Sequence, residues 1–252
     1  ELDVIVCSAA VSACEQHGHW QRAVALLGSM DALRVEPNVV SFNAAVSTLG
    51  TGGKWQGALA LFGKMAHSHV KRDTTSLNAA MSACAQHGLW QRSLDAFGSM
   101  GRLRLAPDRV SFNYVLDAVF DRPVAWNMFR EALGRGVYPS LRRECKGKNF
   151  DLHGLSPGPA IIALQWRLSR LAAERRANDR AILSLRVISG WGKTKRVRSI
   201  VRQAAWQLLK IRGMPVICEG NPGAMLTYLK RADDQGPHRL RRSETKCGND
   251  DS

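Results

Sequence analysis

Apolar and polar positions in the first half of the chain recur every 35 residues. Trp20, Trp55 and Trp90 keep this step, as do Met30, Met65 and Met100, Asn43 and Asn78, and Asp73 and Asp108. Within residues 39–73, Val40, Phe42, Val46 and Leu49 fall near helical spacing and predict a first helix. Thr51-Gly52-Gly53 breaks it, and residues 55–65 predict a second. Each unit therefore reads as an antiparallel helical hairpin, over 4–38, 39–73 and 74–108. One hairpin cannot bury its own apolar face, so the repeat predicts an α-helical solenoid of stacked hairpins. His17-Gly18 and His87-Gly88 stand at the break between helices. Glycine there suits a left-handed cap, and the histidines read as turn residues. A fourth unit, 109–140, opens with Val110-Ser111-Phe112-Asn113, an echo of Val40-Ser41-Phe42-Asn43. It is three residues short, and the deletion falls around 120–123, in the turn.

The pattern changes after Ser140. Residues 141–148 carry Arg142, Arg143, Lys146 and Lys148 and read as a basic linker. Beyond it, short apolar runs alternate with helical periodicity: strands over 150–152, 183–188 and 215–218, and helices over 157–175 and 198–212. This order predicts a small α/β domain of two layers over 149–231. Residues 232–252 are polar and read as a disordered tail.

Charge separates the halves further. The chain carries +15 overall, but residues 1–140 hold 13 Lys and Arg against 11 Asp and Glu, whereas 141–252 hold 23 against 10. A basic second half favours a polyanionic partner. The six cysteines, Cys7, Cys14, Cys84, Cys145, Cys218 and Cys247, show no zinc-type spacing. Cys14 and Cys84 share a repeat position with Leu49, so they read as reduced packing residues. No apolar run reaches the length of a membrane span. The chain opens at Glu1 rather than Met, which points to a fragment or processed form with any targeting segment out of view.

Packing alone does not require an asparagine near the start of each unit and Asp or Asn at its end. The 35-residue period, the V-S-F-N opening and the terminal polar residue together resemble the pentatricopeptide repeat (PPR) family over residues 4–140. In that family the fifth and last residues of a unit read one RNA base. The resemblance implies reading pairs Ser8 with Asn38, Asn43 with Asp73, Asn78 with Asp108, and Asn113 with Ser140, and hence single-stranded RNA with the core 5′-AUUC-3′. The alternative is that these residues only cap helices or bond locally. The tryptophans open the second helix of each unit and read as interhelix packing rather than base-stacking platforms.

In the second half, Phe150-Asp151-Leu152-His153-Gly154 ends a strand, where Asp151 and His153 can share a face. Ser189-Gly190-Trp191-Gly192-Lys193 lies between a strand and a helix, where glycines let backbone N–H groups approach a phosphate. With Asn221-Pro222-Gly223 further on, these resemble the small MutS-related (SMR) domain over about 148–231. Its L-D-x-H and T-G-W-G-K-H motifs appear here with Phe150 for Leu, Ser189 for Thr and Thr194 for His. The resemblance implies nucleic-acid binding and, in some members, endonuclease activity. For cleavage, Asp151 and His153 would form an acid–base or metal-binding pair, with Mg²⁺ as the implied ion, and Lys193 would hold the scissile phosphate. Ser189, Gly190, Trp191, Gly192, Lys195, Arg196, Arg198 and Arg202 would bind phosphates.

The combined expectation is a sequence-specific RNA-binding protein of organelle RNA processing, chloroplast preferred over mitochondrion. Two alternatives stand beside it. One is a non-catalytic RNA clamp or adaptor that protects transcripts, the other a protein-interaction solenoid with a DNA-binding domain.

Overall fold

The computed structural model describes residues 3–15, 18–143, 149–177, 184–189, 199–218 and 224–228. It divides into two compact units, Glu1–Val119 and Phe120–Ser252.

The first unit is a run of helices: α1 (Val4–Glu15), α2 (Trp20–Ala32), α3 (Val39–Thr51), α4 (Trp55–His67), α5 (Thr74–Gln86), α6 (Trp90–Arg102) and α7 (Arg109–Val119). Each hairpin closes on a left-handed glycine, Gly18, Gly53 or Gly88, with φ of 63°, 75° and 66°. A side chain disfavours that backbone region, which is why the sequence places glycine at the break. The turn after each second helix makes the same excursion without glycine, at Arg34, His69 and Arg104, whose φ values lie between 54° and 56°.

The repeat columns become the core. Met30, Met65 and Met100 are fully buried, as are Ala23 and Ala58, and Ser93 holds the alanine position in the third hairpin. Cys14, Leu49 and Cys84 occupy one buried column. Burial raises the Cys84 thiol above its usual pKa, and nearby Arg92 offsets only part of that shift. The first helices α1, α3, α5 and α7 pack on one another in sequence. The approach of α3 to α5 is close: a Cβ on Gly50 would stand 3.0 Å from Cβ of Ala83.

The second unit contains α8 (Val124–Gly134), α9 (Pro139–Arg143), β1 (Asn149–Asp151), α10 (Pro157–Ala177), β2 (Ser184–Ile188), α11 (Ile200–Ile211), β3 (Val216–Cys218) and β4 (Ala224–Tyr228). Helices α7 and α8 have 11 residues each, against 13 in α2 to α6. The four strands form one sheet in the order β1-β2-β4-β3, with β1 parallel to β2 and β4 antiparallel to both β2 and β3. Helix α10 packs on α11 and on α8, where Phe129 meets Trp166 edge to face at 6.2 Å.

Two features depart from the sequence expectation. The start of the basic linker is helical: Pro139 pre-sets the first turn of α9, and Leu141 is fully buried. The strand β4 is an addition. Its short Ala224-Met225-Leu226-Thr227-Tyr228 run has no clean alternation, because it lies between two other strands and is covered on both faces: Ala224, Met225 and Thr227 are all buried. The expected tail 232–252 and the glycine-rich segment 190–198 lie outside the described residues.

Candidate nucleic-acid interface

A helix begins with backbone N–H groups that have no intrahelical acceptor, and the sequence supplies one at each inner helix of the array. Asn38 Oδ1 accepts from Ser41 N–H at 3.0 Å, Asp73 Oδ1 from Ser76 N–H at 2.8 Å, and Asp108 Oδ1 from Ser111 N–H at 2.8 Å. In return the three serine hydroxyls accept the backbone N–H of Asn38 at 3.0 Å, Asp73 at 2.8 Å and Asp108 at 3.3 Å. This reciprocal arrangement is a capping box, with serine as the returning partner. All three serines are fully buried.

The same oxygens reach back to the preceding inner helix. Ser8 Oγ donates to Asn38 Oδ1 at 3.2 Å, and Asn43 Nδ2 donates to Asp73 Oδ1 at 3.3 Å. The side chain of Asn78 hydrogen-bonds Asp108. Capping and pairing thus coexist on Oδ1 of Asn38 and of Asp73, and in the next unit Ser111 Oγ bridges Asn78 Oδ1 and Asp108 Oδ1 at 2.8 and 2.9 Å. Burial pushes the Asp108 carboxyl up, but hydrogen bonds from the Ser111 N–H and hydroxyl, from Asn78 and from the Val110 N–H prevail and hold it below its ordinary value.

Asn43, Asp73, Asn78 and Asp108 line an open groove of about 620 Å³ along α1, α3, α5 and α7. Val40, Thr75 and Val110, the second residues of their helices, also line it. Asn43 Oδ1 is buried and has no hydrogen-bond partner. The groove contains residues that sequence reasoning did not single out: Glu15, Ser47 and Tyr114. Ser47 Oγ donates to Glu15 Oε1 at 2.5 Å. No periodic signal could have found Glu15, because its column continues as Gly50 and Ala85.

The fourth predicted pair is placed differently. Asn113 lies in α7 of the first unit and Ser140 in α9 of the second. Ser140 follows Pro139 inside its helix, whereas Asn38, Asp73 and Asp108 stand just before theirs.

The tryptophans sit in packing positions. Trp20, Trp55 and Trp90 are half-buried at the start of α2, α4 and α6. A Cβ on Gly52 would lie 2.7 Å from Trp20 Cδ1, so the indole rests on the end of the next inner helix. Lys54 Nζ stands 5.2 Å from the centre of the Trp20 ring, and the Arg92 guanidinium 5.5 Å from that of Trp55.

In the second unit, the parallel register sets Asp151 opposite Ile188, so β1 and β2 both run out at the same edge of the sheet. That edge carries Asp151, His153 and the buried Ser189. Carboxyl ends of parallel strands are where open α/β sheets place their ligands. His153 Nδ1 lies 2.5 Å from Asp151 Oδ1, which also accepts the His153 backbone N–H at 2.8 Å. A carboxylate beside Nδ1 favours the imidazole proton on that nitrogen, and the imidazole side chain is 57% exposed. Ser199 caps α11 by accepting the Arg202 N–H at 3.4 Å, which puts Arg202 in the first turn of that helix. Gly190, Trp191, Gly192, Lys193, Lys195, Arg196 and Arg198 lie outside the described residues.

A Mg²⁺ ion prefers six oxygens in a near-octahedral shell, several of them from water. Among the described residues no three His, Cys, Asp or Glu side chains gather, and Asp151 Oδ1 already serves the imidazole and the backbone of His153. The described residues do not fit such an ion. Nor, among them, is any helix long and apolar enough to cross a membrane.

A pentatricopeptide repeat domain model matches residues 1–52, and a PPR repeat model matches 40–70 and 75–105. Two pentatricopeptide repeat-containing proteins of Arabidopsis thaliana, At1g74750 and At1g18900, are each 32% identical over 44% of this chain. The aligned region spans 14% of the length of either relative. Among solved structures, the pentatricopeptide repeat protein PPR10 in complex with an 18-nt psaJ RNA element aligns with a TM-score of 0.54 and 19% identity, over 69% of this chain and 24% of that one. The PPR domain of Arabidopsis thaliana protein-only RNase P 1, in complex with tRNA, aligns with a TM-score of 0.53 and 9% identity, over 83% and 90%. Those identities speak for the fold alone. The family matches and the 35-residue columns identify the helical hairpins within residues 1–105 as pentatricopeptide repeats.

Proposed function

We propose that the repeat array selects a short single-stranded RNA and that the α/β unit, an SMR-type domain over 149–231, grips or cleaves the same RNA. One observation carries the first half of this reading: Ser8–Asn38, Asn43–Asp73 and Asn78–Asp108 are each in hydrogen-bond contact, at one pair per unit, and the last two line one groove. RNA in the solved complexes of PPR10 and of the protein-only RNase P 1 repeat domain supports it. The pairs, with Asn113 and Ser140 as the fourth, correspond to adenine, uracil, uracil and cytosine in the 5′ to 3′ direction. With four units reading four bases, the site is short. This reading places the action in an organelle, with chloroplast preferred over mitochondrion, and the match to plant pentatricopeptide repeat-containing proteins supports the organelle.

The second half of the reading rests on the Asp151–His153 pair at the sheet edge. With its proton held on Nδ1, the imidazole can take a proton at Nε2 from an attacking hydroxyl, and Asp151 steadies the imidazolium that results. Lys193 and the neighbouring backbone N–H groups would hold the phosphate, and Arg202 at the start of α11 extends the cationic surface.

Binding of a labelled RNA carrying A-U-U-C, against the same RNA with the tetramer scrambled, tests the array. Equal affinity for both rejects the base assignment. Incubating the bound RNA with and without Mg²⁺, beside Asp151→Ala and His153→Ala, tests the α/β unit. Cleavage that persists in both variants rejects the proposed pair, and intact RNA throughout leaves a clamp.

A further inference from the structure

Asn43–Asp73 and Asn78–Asp108 are the same pair in the sequence, yet they are held differently. In the second hairpin the Ser76 hydroxyl stands 2.8 Å from the Asp73 carbonyl and 3.0 Å from Asp73 Oδ1. It makes no bond to Asn43, whose Oδ1 is buried without a partner. In the third, the Ser111 hydroxyl stands 2.8 Å from Asn78 Oδ1 and 2.9 Å from Asp108 Oδ1. Asn78 is 8% exposed, and its amide also hydrogen-bonds Asp108.

A side-chain amide offers an acceptor on one side and a donor on the other, and rotation by half a turn exchanges them. Ser111 takes the acceptor of Asn78 into the protein, and Asp108 is an acceptor that only the NH₂ can satisfy. With both in place the flipped amide would set oxygen against carboxylate and would take from Oδ1 the hydroxyl proton it shares with Asp108. Asn43 has the carboxylate but lacks the hydroxyl, so one of its two constraints is missing.

We propose that Ser111 is a positioning residue for base selection. Its hydroxyl, on the inner helix of one repeat, fixes the amide of Asn78 in the repeat before it, so that Asn78 discriminates bases more sharply than Asn43 does. The proposal rests on the groove reading RNA, and it makes neighbouring repeats dependent: what the third unit reads is set partly by the residue that opens the fourth. Ser76 performs the same helix cap without this second bond and is the internal control.

The test uses the full chain and RNAs that differ only at the second or only at the third base of A-U-U-C, with affinity and thermal melting measured in parallel. The unsubstituted protein should discriminate more strongly at the third base than at the second. Ser111→Ala should flatten third-base discrimination by about tenfold, the scale of one buried hydrogen bond, and leave the second base alone. Ser111→Thr, which keeps the hydroxyl, should restore it. Ser76→Ala should lower the melting temperature comparably, because it removes the same cap partner, and change discrimination at neither base. Ser111→Cys, close in volume but a weak donor, serves if the alanine variant does not fold and should behave as alanine would. No preference at either base in the unsubstituted protein overturns the groove reading and this proposal with it. Preference that survives Ser111→Ala or Ser111→Cys, or that falls equally at both bases in Ser76→Ala, overturns the positioning role alone.

Discussion

The repeat array and the α/β unit hold their polar candidates by different means. In the array, Asn38 and Asp73 each use one oxygen to cap a helix and to meet the preceding unit, and Asp108 caps its helix and meets Asn78 of the unit before it. Helix capping and the contact between neighbouring units meet in one side chain there, and the arrangement repeats every 35 residues. In the α/β unit, Asp151 and His153 meet only two residues apart at the end of a three-residue strand, with the imidazole largely exposed. Residues that carry structure as well as recognition cannot be changed without loss of stability. Residues held by a local contact at a strand end can be.

The largest expected effect that separates the two regions is removal of a unit-ending cap. Asp73→Ala deletes the acceptor for Ser76 N–H and for Asn43, and should cost about 1–2 kcal/mol. Asp73→Asn keeps a capping oxygen and should cost far less, while changing which base the second unit prefers. Denaturant melts of both variants, read beside RNA binding, check this. A cost for Asp73→Ala near zero would mean that the cap is idle and the array is no different from the strand end.

A gain of similar size is expected where one repeat departs from the others. Ser93 occupies the buried column of Ala23 and Ala58, and its hydroxyl has no hydrogen-bond partner. Ser93→Ala removes an unsatisfied polar group and improves helix propensity, so the array should gain about 1 kcal/mol. A melting temperature that falls instead would show that the hydroxyl is satisfied in solution.

Periodicity made the array readable. A 35-residue column of Met, Trp or Gly reports a packing or turn requirement several times over, and the helices, their left-handed glycines and the buried methionines follow from it. Asn43 and Asp73 were visible for the same reason. Capping was visible only as the alternative to base reading, and the serine half of the box was not, because Ser41, Ser76 and Ser111 looked like part of an opening motif and the reciprocal bond depends on serine where glutamate is the more familiar partner. Glu15 was invisible for lack of a column. In the α/β unit nothing repeats: β1 and β2 were found from short apolar runs, but β4 has no polar alternation to mark it, and the helix α9 was hidden under the positive charge of Arg142 and Arg143. The Asp151–His153 contact needed only strand geometry, whereas the shared edge of β1 and β2 needed the sheet order.

Asp108 offers a smaller effect that depends on pH. Its folded-state pKa lies below the ordinary carboxylate value of about 3.9. The folded state therefore binds the proton less readily than the unfolded chain does, and the stabilisation is fully present above the ordinary value and lost as pH falls through the lowered one. Melts from neutral pH down to about pH 3 should show the advantage of the unsubstituted protein over Asp108→Asn shrinking with acidity. A gap that widens toward low pH would mean that the carboxyl is not held by Ser111, Asn78 and Val110 as described.

The smallest expected change in stability is at the strand end. His153→Ala removes a ring that is 57% exposed and bonded to its near neighbour Asp151. An exposed pair of this kind contributes little, so the melting curve should move by less than about 0.5 kcal/mol. If the pair performs proton transfer, cleavage should nonetheless fall by about 10²–10⁴. A variant that keeps its stability and loses its chemistry would set the two regions apart in the way their bonding implies. One that unfolds as readily as Asp73→Ala would make His153 a structural residue, and the argument for an acid–base pair at the sheet edge would go with it.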